Sequence, residues 1–256
     1  MHHDSPQQVS RLLQSLQTVI LPPKTEILIA NNGKKNSNQK ISQKFSNQKF
    51  FKKIKFFQIK NRGYPAGNNF LAHKSSAEFL AFVNPDILVR AETFSVLLKK
   101  FSENSKIGLI SPRLEFPDGK IFDNFRRWPK IIDLIIKRND FLREIFKNRM
   151  KKYLMWDKDP KISEPVDWTT GAFQIIPRNI FQKIGGHNEK YFLFFSDVEI
   201  CKKIWQHGFQ VFFCAETVAI HDKNRLSSGG FFDIFRKKNL RIHISDAVKY
   251  FFGKTK

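Results

Sequence analysis

Cysteine is nearly missing from this chain: Cys201 and Cys214 are the only two in 256 residues. They are too few and too far apart for a disulfide framework or a zinc site, so both read as buried, reduced thiols in a cytoplasmic protein. Long apolar runs are missing as well. No stretch approaches the roughly 20 uninterrupted apolar residues that span a bilayer, and the N-terminus carries no signal-type apolar core. Any contact with a membrane is therefore expected to be peripheral. Acid is scarce: 23 Asp and Glu stand against 45 Lys and Arg, a formal net charge of +22. Such an excess suits nucleic acid, an anionic membrane surface or acidic substrates, and a general bias toward Lys, Asn, Ile and Phe accounts for it equally well. No groove-reading helix or base-stacking motif accompanies the charge, which argues against nucleic acid.

What is present is a core. Apolar residues make up 41% and aromatics 14% of the chain, enough for one large domain. Its centre is the run Glu78-Phe79-Leu80-Ala81-Phe82-Val83-Asn84-Pro85-Asp86. Five consecutive apolar residues predict a strand buried on both faces, and Pro85, which has no N–H to give a ladder, must end it. Asp86 is then left at the carboxyl end of a buried strand, where open α/β sheets form their ligand crevices. A carboxylate there suits a divalent cation; a turn aspartate after proline is the plainer reading.

Around this run the chain alternates. Ser5-Pro6-Gln7-Gln8 starts a helix carrying Val9, Leu12, Leu13 and Leu16, and Glu26–Ala30 is a strand closed by Asn31-Asn32-Gly33. Residues 34 to 60 are rich in lysine and free of acid, with Phe56–Ile59 as the next strand. Asn61 to Asn69 reads as a tight polar loop whose Gly63 and Gly67 allow close backbone approach, with a short helix from Phe70. Strands follow at Ile107–Ile110, Phe173–Ile176 and Gln210–Cys214, and helices at Phe94–Phe101 and Pro177–Lys183. Ser196-Asp197-Val198-Glu199 reads as a capping box that places Asp197 at a helix N-terminus, beside the aromatic run Tyr191–Phe195. A carboxylate at such a wall can act as general base toward a hydroxyl, although the helix terminus alone explains it structurally. This alternation predicts an α/β fold with a mostly parallel sheet flanked by helices. Two segments are basic and amphipathic, residues 131–152 and the tail from Phe231; each suits a membrane interface, or, for the first, an ordinary packed surface helix.

Six stretches occur in a telling order: Asn61-x-Gly63-Tyr64-x-x-Gly67-x-Asn69; Phe82–Asp86; Val166–Phe173; Ile184–Phe192; Ser196–Cys201; and His221 with Ser227-Ser228. The series resembles the family 2 glycosyltransferases of the GT-A fold, in particular the rhamnosyltransferase-like branch. The resemblance implies inverting transfer of a sugar from a nucleotide-diphospho-sugar to a hydroxyl of a glycan or lipid-linked acceptor in cell-surface polysaccharide synthesis. It makes Asp86 and His221 the expected ligands of Mg or Mn and Asp197 the expected base. Asn31, Asn61, Gly63, Gly67, Asn69 and Asn84 fall on the nucleotide side, Trp168 and Gly171 on the acceptor side. The implied domain covers residues 1–230, a nucleotide half to about 110 and an acceptor half from 111, with 231–256 as a basic extension. Peripheral attachment to the cytoplasmic face of the membrane is the expected location.

Four departures accompany it. The family's first strand is expected to be missing; its Asp-Asn-Gly stands as Asn31-Asn32-Gly33; its Gly-Gly-Phe-Asp-Glu as Gly185-Gly186-His187-Asn188-Glu189; and Ser196 replaces a glutamate. A degenerate, non-catalytic domain serving as a scaffold is the competing expectation.

Overall fold

The computed structural model describes residues 1–34, 36–45, 54–222 and 238–253. Ser227-Ser228 and the start of the basic tail lie outside them. The elements are α1 (Pro6–Gln17), β1 (Ile27–Asn31), α2 (Asn36–Phe45), β2 (Ile54–Gln58), α3 (Tyr64–Lys74), β3 (Phe79–Val83), β4 (Ile87–Val89), α4 (Thr93–Glu103) and β5 (Ile107–Glu115). After these come β6 (Ile121–Phe122), β7 (Phe125–Arg126), α5 (Ile131–Arg138), α6 (Asp140–Ile145) and α7 (Lys147–Tyr153). The remainder is β8 (Glu164–Pro165), β9 (Trp168–Thr169), β10 (Phe173–Pro177), α8 (Arg178–Lys183), α9 (Ser196–Gln206), β11 (Gln210–His221) and α10 (Lys238–Phe252).

The fold is α/β, but its sheet is mixed where sequence alternation suggests a mostly parallel one. The main sheet runs β3-β10-β5-β11-β4, with β6 and β8 added on β5 and β11. Only β5–β11 is parallel in it; β10 runs against both β3 and β5, and β4 runs against β11. The turn at Asn84-Pro85-Asp86 carries the chain straight from β3 into β4, at the other end of the strand order, and β10 later returns along β3. The strand read as buried on both faces is an edge: Leu80 and Phe82 are buried while Ala81 is exposed. β1 and β2 form a separate parallel pair. An apolar slot of about 630 Å³ lies between β1 and β3, bounded by Leu13, Ile29, Leu80 and Phe82 among others. At its mouth His2 bridges Asn31 in parallel, the one strand-like contact before α1 among the described residues.

Three local readings change. Asn61 to Asn69 is mostly helix: α3 begins at Tyr64, with Pro65 in its first turn, and Gly63 precedes it at φ +96°. A Cβ on Gly63 would lie 2.3 Å from the Phe192 carbonyl, so this glycine answers a close approach. The capping box at Ser196 does not form: Phe195 takes the cap position with φ +63°, and the buried Ser196 hydroxyl has no partner. β11 runs on to His221, because a register shift between Cys214 and Val218 absorbs residues that break the alternation.

Within the segment read as a basic extension, α10 packs on the core of the domain. Leu240 is buried, and Ala247, Tyr250 and Phe251 lie on the core around Phe195 and Val198. Asp246 is fully buried, and its carboxylate accepts hydrogen bonds from the backbone N–H groups of Phe192, Leu193 and Phe194 at 2.9–3.1 Å.

His187, in the position of the family's phenylalanine, is 2% exposed among Phe82, Phe181 and Tyr64. Neither ring nitrogen has a partner, and burial lowers its pKa to about 3. The folded form stays neutral where the unfolded chain takes up a proton, so this residue costs stability as pH falls from 6.5 toward about 3. His187→Phe is expected to raise stability by about 1–3 kcal/mol by removing two unsatisfied buried atoms. Thermal melts across that pH range should show a shallower acid decline in the variant, and equal slopes would refute the account.

Candidate active site

Asp86 and His221 are 135 positions apart in sequence and meet through strand register. β3 ends at Val83, the Asn84 N–H donates to the Ala172 carbonyl at 2.8 Å, and the chain turns at Pro85 into β4. β11 runs against β4 with His221 opposite Ile87, and the Asp222 N–H donates to the Asp86 carbonyl at 2.9 Å. His221 Nε2 thereby lies 3.9 Å from Asp86 Oδ2. His221 Nδ1 is 2.9 Å from the Asp222 carbonyl, which can only accept, so Nδ1 carries a hydrogen, and in the neutral ring Nε2 carries the lone pair. The imidazole stacks on Phe122 at 4.5 Å and 8°, which fixes its plane. Asp86 Oδ1 is buried without a hydrogen-bond partner, and burial raises the carboxyl pKa while His221 opposes the rise.

Asp197 sits in the first turn of α9, where unpaired backbone N–H groups favour an anion. Its Oδ2 accepts from the Gly171 N–H at 3.2 Å and its Oδ1 from the Val198 N–H at 3.0 Å. Burial nevertheless outweighs these bonds and the nearby Arg126 and pushes its pKa above the ordinary carboxylate value. Gly171 joins the parts: its carbonyl takes the Tyr64 hydroxyl at 2.8 Å, and a Cβ there would press on Tyr64 and Asp197. Trp168 donates from Nε1 to the Arg127 carbonyl at 2.8 Å and carries the Arg126 guanidinium over its ring at 5.2 Å.

One cavity of about 610 Å³ collects these groups: Asn84, Asp86, Trp168, Gly171, Asp197 and His221 all line it. The other expected nucleotide-side residues do not. Asn31 is spent internally, donating to the Lys34 carbonyl and Gln58 and accepting from the Gly33 N–H. Asn61 accepts from Asn32 and the Gly63 N–H. Asn69 links α3 to the chain at His187 and Glu189. Gly67 packs against Met1. Their amides and glycines hold the loops beside the cavity, and none of these five bounds it.

Two lining residues escape sequence reasoning. Tyr64 lines the cavity, and burial, together with the charges of Asp197 and Asp86, raises its pKa. Its place between Gly63 and Pro65 in the ordered motif was the available signal. Arg126 is nine-tenths buried; only its adjacency to Arg127 and Trp128 marks it in the sequence.

Among the described residues no group of three or more His, Cys, Asp and Glu side chains converges as a metal site. An orphaned carboxylate oxygen beside an imidazole lone pair nevertheless suits a divalent cation whose remaining ligands come from a bound diphosphate. One cavity is thus lined by a buried carboxylate whose chemistry suits a base and by a carboxylate–imidazole pair whose chemistry suits a cation.

Comparison with known proteins fits this arrangement. The protein is 21% identical over 159 residues to an N-acetylglucosaminyl-diphospho-decaprenol L-rhamnosyltransferase of Mycobacterium tuberculosis, covering 57% of this chain and 47% of the relative. It is 22% identical over 175 residues to the rhamnosyltransferase WbbL of Escherichia coli K12, covering 68% and 61%. It therefore spans about half to three fifths of the length of these relatives. Among solved structures, GalNAc-T7 with UDP, GalNAc and Mn2+ superposes with TM-score 0.63 at 15% identity, covering 85% of this chain and 41% of that one. The mannosyltransferase PcManGT of Pyrobaculum calidifontis, in complex with GDP-Man and Mn2+, gives 0.60 at 12%, covering 97% and 62%. These likenesses establish the GT-A fold. The family model "Glycosyl transferase family 2" matches residues 2–185, and the chain belongs to that family.

Proposed function

We propose that the protein is an inverting glycosyltransferase that moves a sugar, with rhamnose the favoured candidate, from a nucleotide-diphospho-sugar to a hydroxyl of a glycan or lipid-linked acceptor in cell-surface glycan synthesis. The observation that carries this reading is the single cavity that joins Asp197 to the Asp86–His221 pair. The names of the mycobacterial and Escherichia coli relatives support the rhamnosyl assignment, and the mycobacterial name also supports the lipid-linked acceptor.

In this reading Asp197 takes the proton of the acceptor hydroxyl as that oxygen attacks the anomeric carbon from the face opposite the leaving diphosphate. The Gly171 and Val198 N–H groups hold the carboxylate in place, and Trp168 floors the acceptor side. Asp86 and His221 would hold a divalent cation, which when bound would neutralise charge on the departing nucleoside diphosphate. Phe122 keeps the imidazole in plane. The chain's apolar, basic surface supports a place on an anionic membrane face. Ile131, Ile132, Ile135, Phe141, Ile145 and Phe146 on or beside α5 and α6 are all exposed, with Arg143, Lys147, Lys151 and Lys152 nearby.

The test is transfer from nucleotide-rhamnose and nucleotide-hexose donors to a prenyl-diphosphate-linked acceptor in the presence of Mn2+. Chelation is expected to abolish transfer, and Asp86→Asn to raise the metal concentration needed for half-maximal rate at least about tenfold. Undiminished transfer in excess chelator would remove the metal from the reading. Calorimetry that finds no nucleotide-sugar binding with Mn2+ would favour the non-catalytic scaffold.

A further inference from the structure

The cavity that holds Asp86, His221 and Asp197 is also lined by two guanidiniums that form no ion pair among the described residues. Arg126 lies in β7 and is nine-tenths buried. Its Nη2 donates to the Asp123 carbonyl at 3.0 Å, its plane lies over Trp168, Tyr153 rests against it, and its Nε is buried without a partner. Arg138 ends α5; its Nη1 is likewise buried and unpartnered, and burial alone lowers its pKa. Both line the same cavity as Asp197, and neither forms an ion pair among the described residues. The acids that share the lining are Asp86, Asp123, Asp140 and Asp197. The Trp156 indole donates to Asp123, Arg143 takes Asp140, and backbone N–H groups hold Asp197.

A buried guanidinium is costly unless a counter-charge meets it. Here two line one cavity, in which Asp123, Asp140 and Asp197 accept other hydrogen bonds, Asp197 feels the Arg126 charge without a direct ion pair, and Asp86 faces His221. We propose that Arg126 and Arg138 form a phosphate-recognising subsite on the acceptor-side wall, built for a phosphate or diphosphate group of a bound substrate. Guanidinium is the side chain that meets phosphate oxygens with paired hydrogen bonds, and a site walled by Trp168 and Tyr153 strengthens them by excluding water. The assignment rests on the glycosyl-transfer reading, which supplies two phosphate-bearing substrates. The phosphate belongs to either the acceptor's lipid diphosphate or the donor's nucleoside diphosphate.

The decisive measurement is calorimetric titration of the full chain with inorganic pyrophosphate in excess chelator, where the Asp86–His221 pair has no cation to offer. Wild type is expected to bind, and Arg138→Gln and Arg126→Gln each to weaken binding about tenfold or more, the worth of one charge-assisted bond. Lys202→Gln, an exposed charge loss of equal size on α9, should match wild type. Because Arg126 is buried, Arg126→Lys keeps the charge and Arg138→Gln tests the site from a less enclosed position, with circular dichroism confirming the fold. Equal affinity in all variants, or no binding by wild type, overturns the subsite. Two further titrations assign the source. Loss of affinity for geranyl diphosphate at unchanged affinity for uridine diphosphate with Mn2+ assigns the acceptor; the converse assigns the donor. Wild type that binds pyrophosphate yet transfers no sugar would refute the catalytic reading and leave the subsite standing.

Discussion

Asp197→Asn is expected to lower sugar transfer by about 10²–10⁴-fold while nucleotide-sugar binding stays near wild type, the signature of a lost general base. Asparagine keeps the shape of the side chain and removes its basicity; its one oxygen can accept from either the Gly171 or the Val198 N–H but not both, because the amide nitrogen only donates. The raised pKa sets the pH profile. Asp197 must be ionised to accept a proton, so the acid limb of the wild-type rate should lie above the ordinary carboxylate value of about 3.9, and activity should climb as pH rises through it. Stability runs the other way. Between the unfolded and the raised folded pKa the native state holds a proton that the unfolded chain has released, so wild type loses stability as pH rises across that window. Asp197→Asn removes this penalty. Denaturant melts at pH 4 and pH 8 should show the variant gaining on wild type at the higher pH, and equal transfer by the two proteins would dismiss Asp197 as base.

Asp246→Ala should cost about 3–5 kcal/mol, the range for stripping one member from a buried charged cluster. Three backbone N–H groups, those of Phe192, Leu193 and Phe194, lose their acceptor, and Lys249 loses its 3.0 Å partner. The segment those groups belong to ends in Phe195, whose φ of +63° is unfavourable for an aromatic residue and needs the surrounding structure to hold it. Asp197 follows two residues later. The variant is therefore expected to lose transfer even at temperatures where it remains folded, through the rate more than through donor affinity. Chemical denaturation together with kinetics on the folded fraction checks both parts; a stability change below about 1 kcal/mol would contradict the role given to this carboxylate.

Much of the site could be read from the order of motifs, because each sits at the end of a strand or the start of a helix. Asp86 follows a proline that must stop β3, and Asp197 follows an aromatic run at the start of α9. What could not be read depends on register and distant pairing. His221 looked detached from its strand because the bulge between Cys214 and Val218 breaks the alternation that marks β11. The partly antiparallel sheet was hidden because β10 joins β3 from about ninety positions away. Motif position puts Asn31, Asn61 and Asn69 on the nucleotide side; that their amides also close hydrogen bonds inside the protein is something local sequence does not reveal. Asp246 gave no sign at all, since its partners lie more than fifty positions upstream.

The slot between β1 and β3 has a mechanical consequence. Among the described residues no ladder crosses it, and the β1–β2 ribbon meets the rest of the domain chiefly through α1, α2 and α3. Such a ribbon can open as its own cooperative unit, below the free energy that unfolds the main sheet. Amide exchange at Ile29 and Phe56 should accordingly outpace that at Leu109 and Phe213 under native conditions, as measured by mass spectrometry. The molecule would then behave as two plates on a shared hinge, the stiffer one carrying the carboxylates and the imidazole, and the looser one free to breathe without disturbing them.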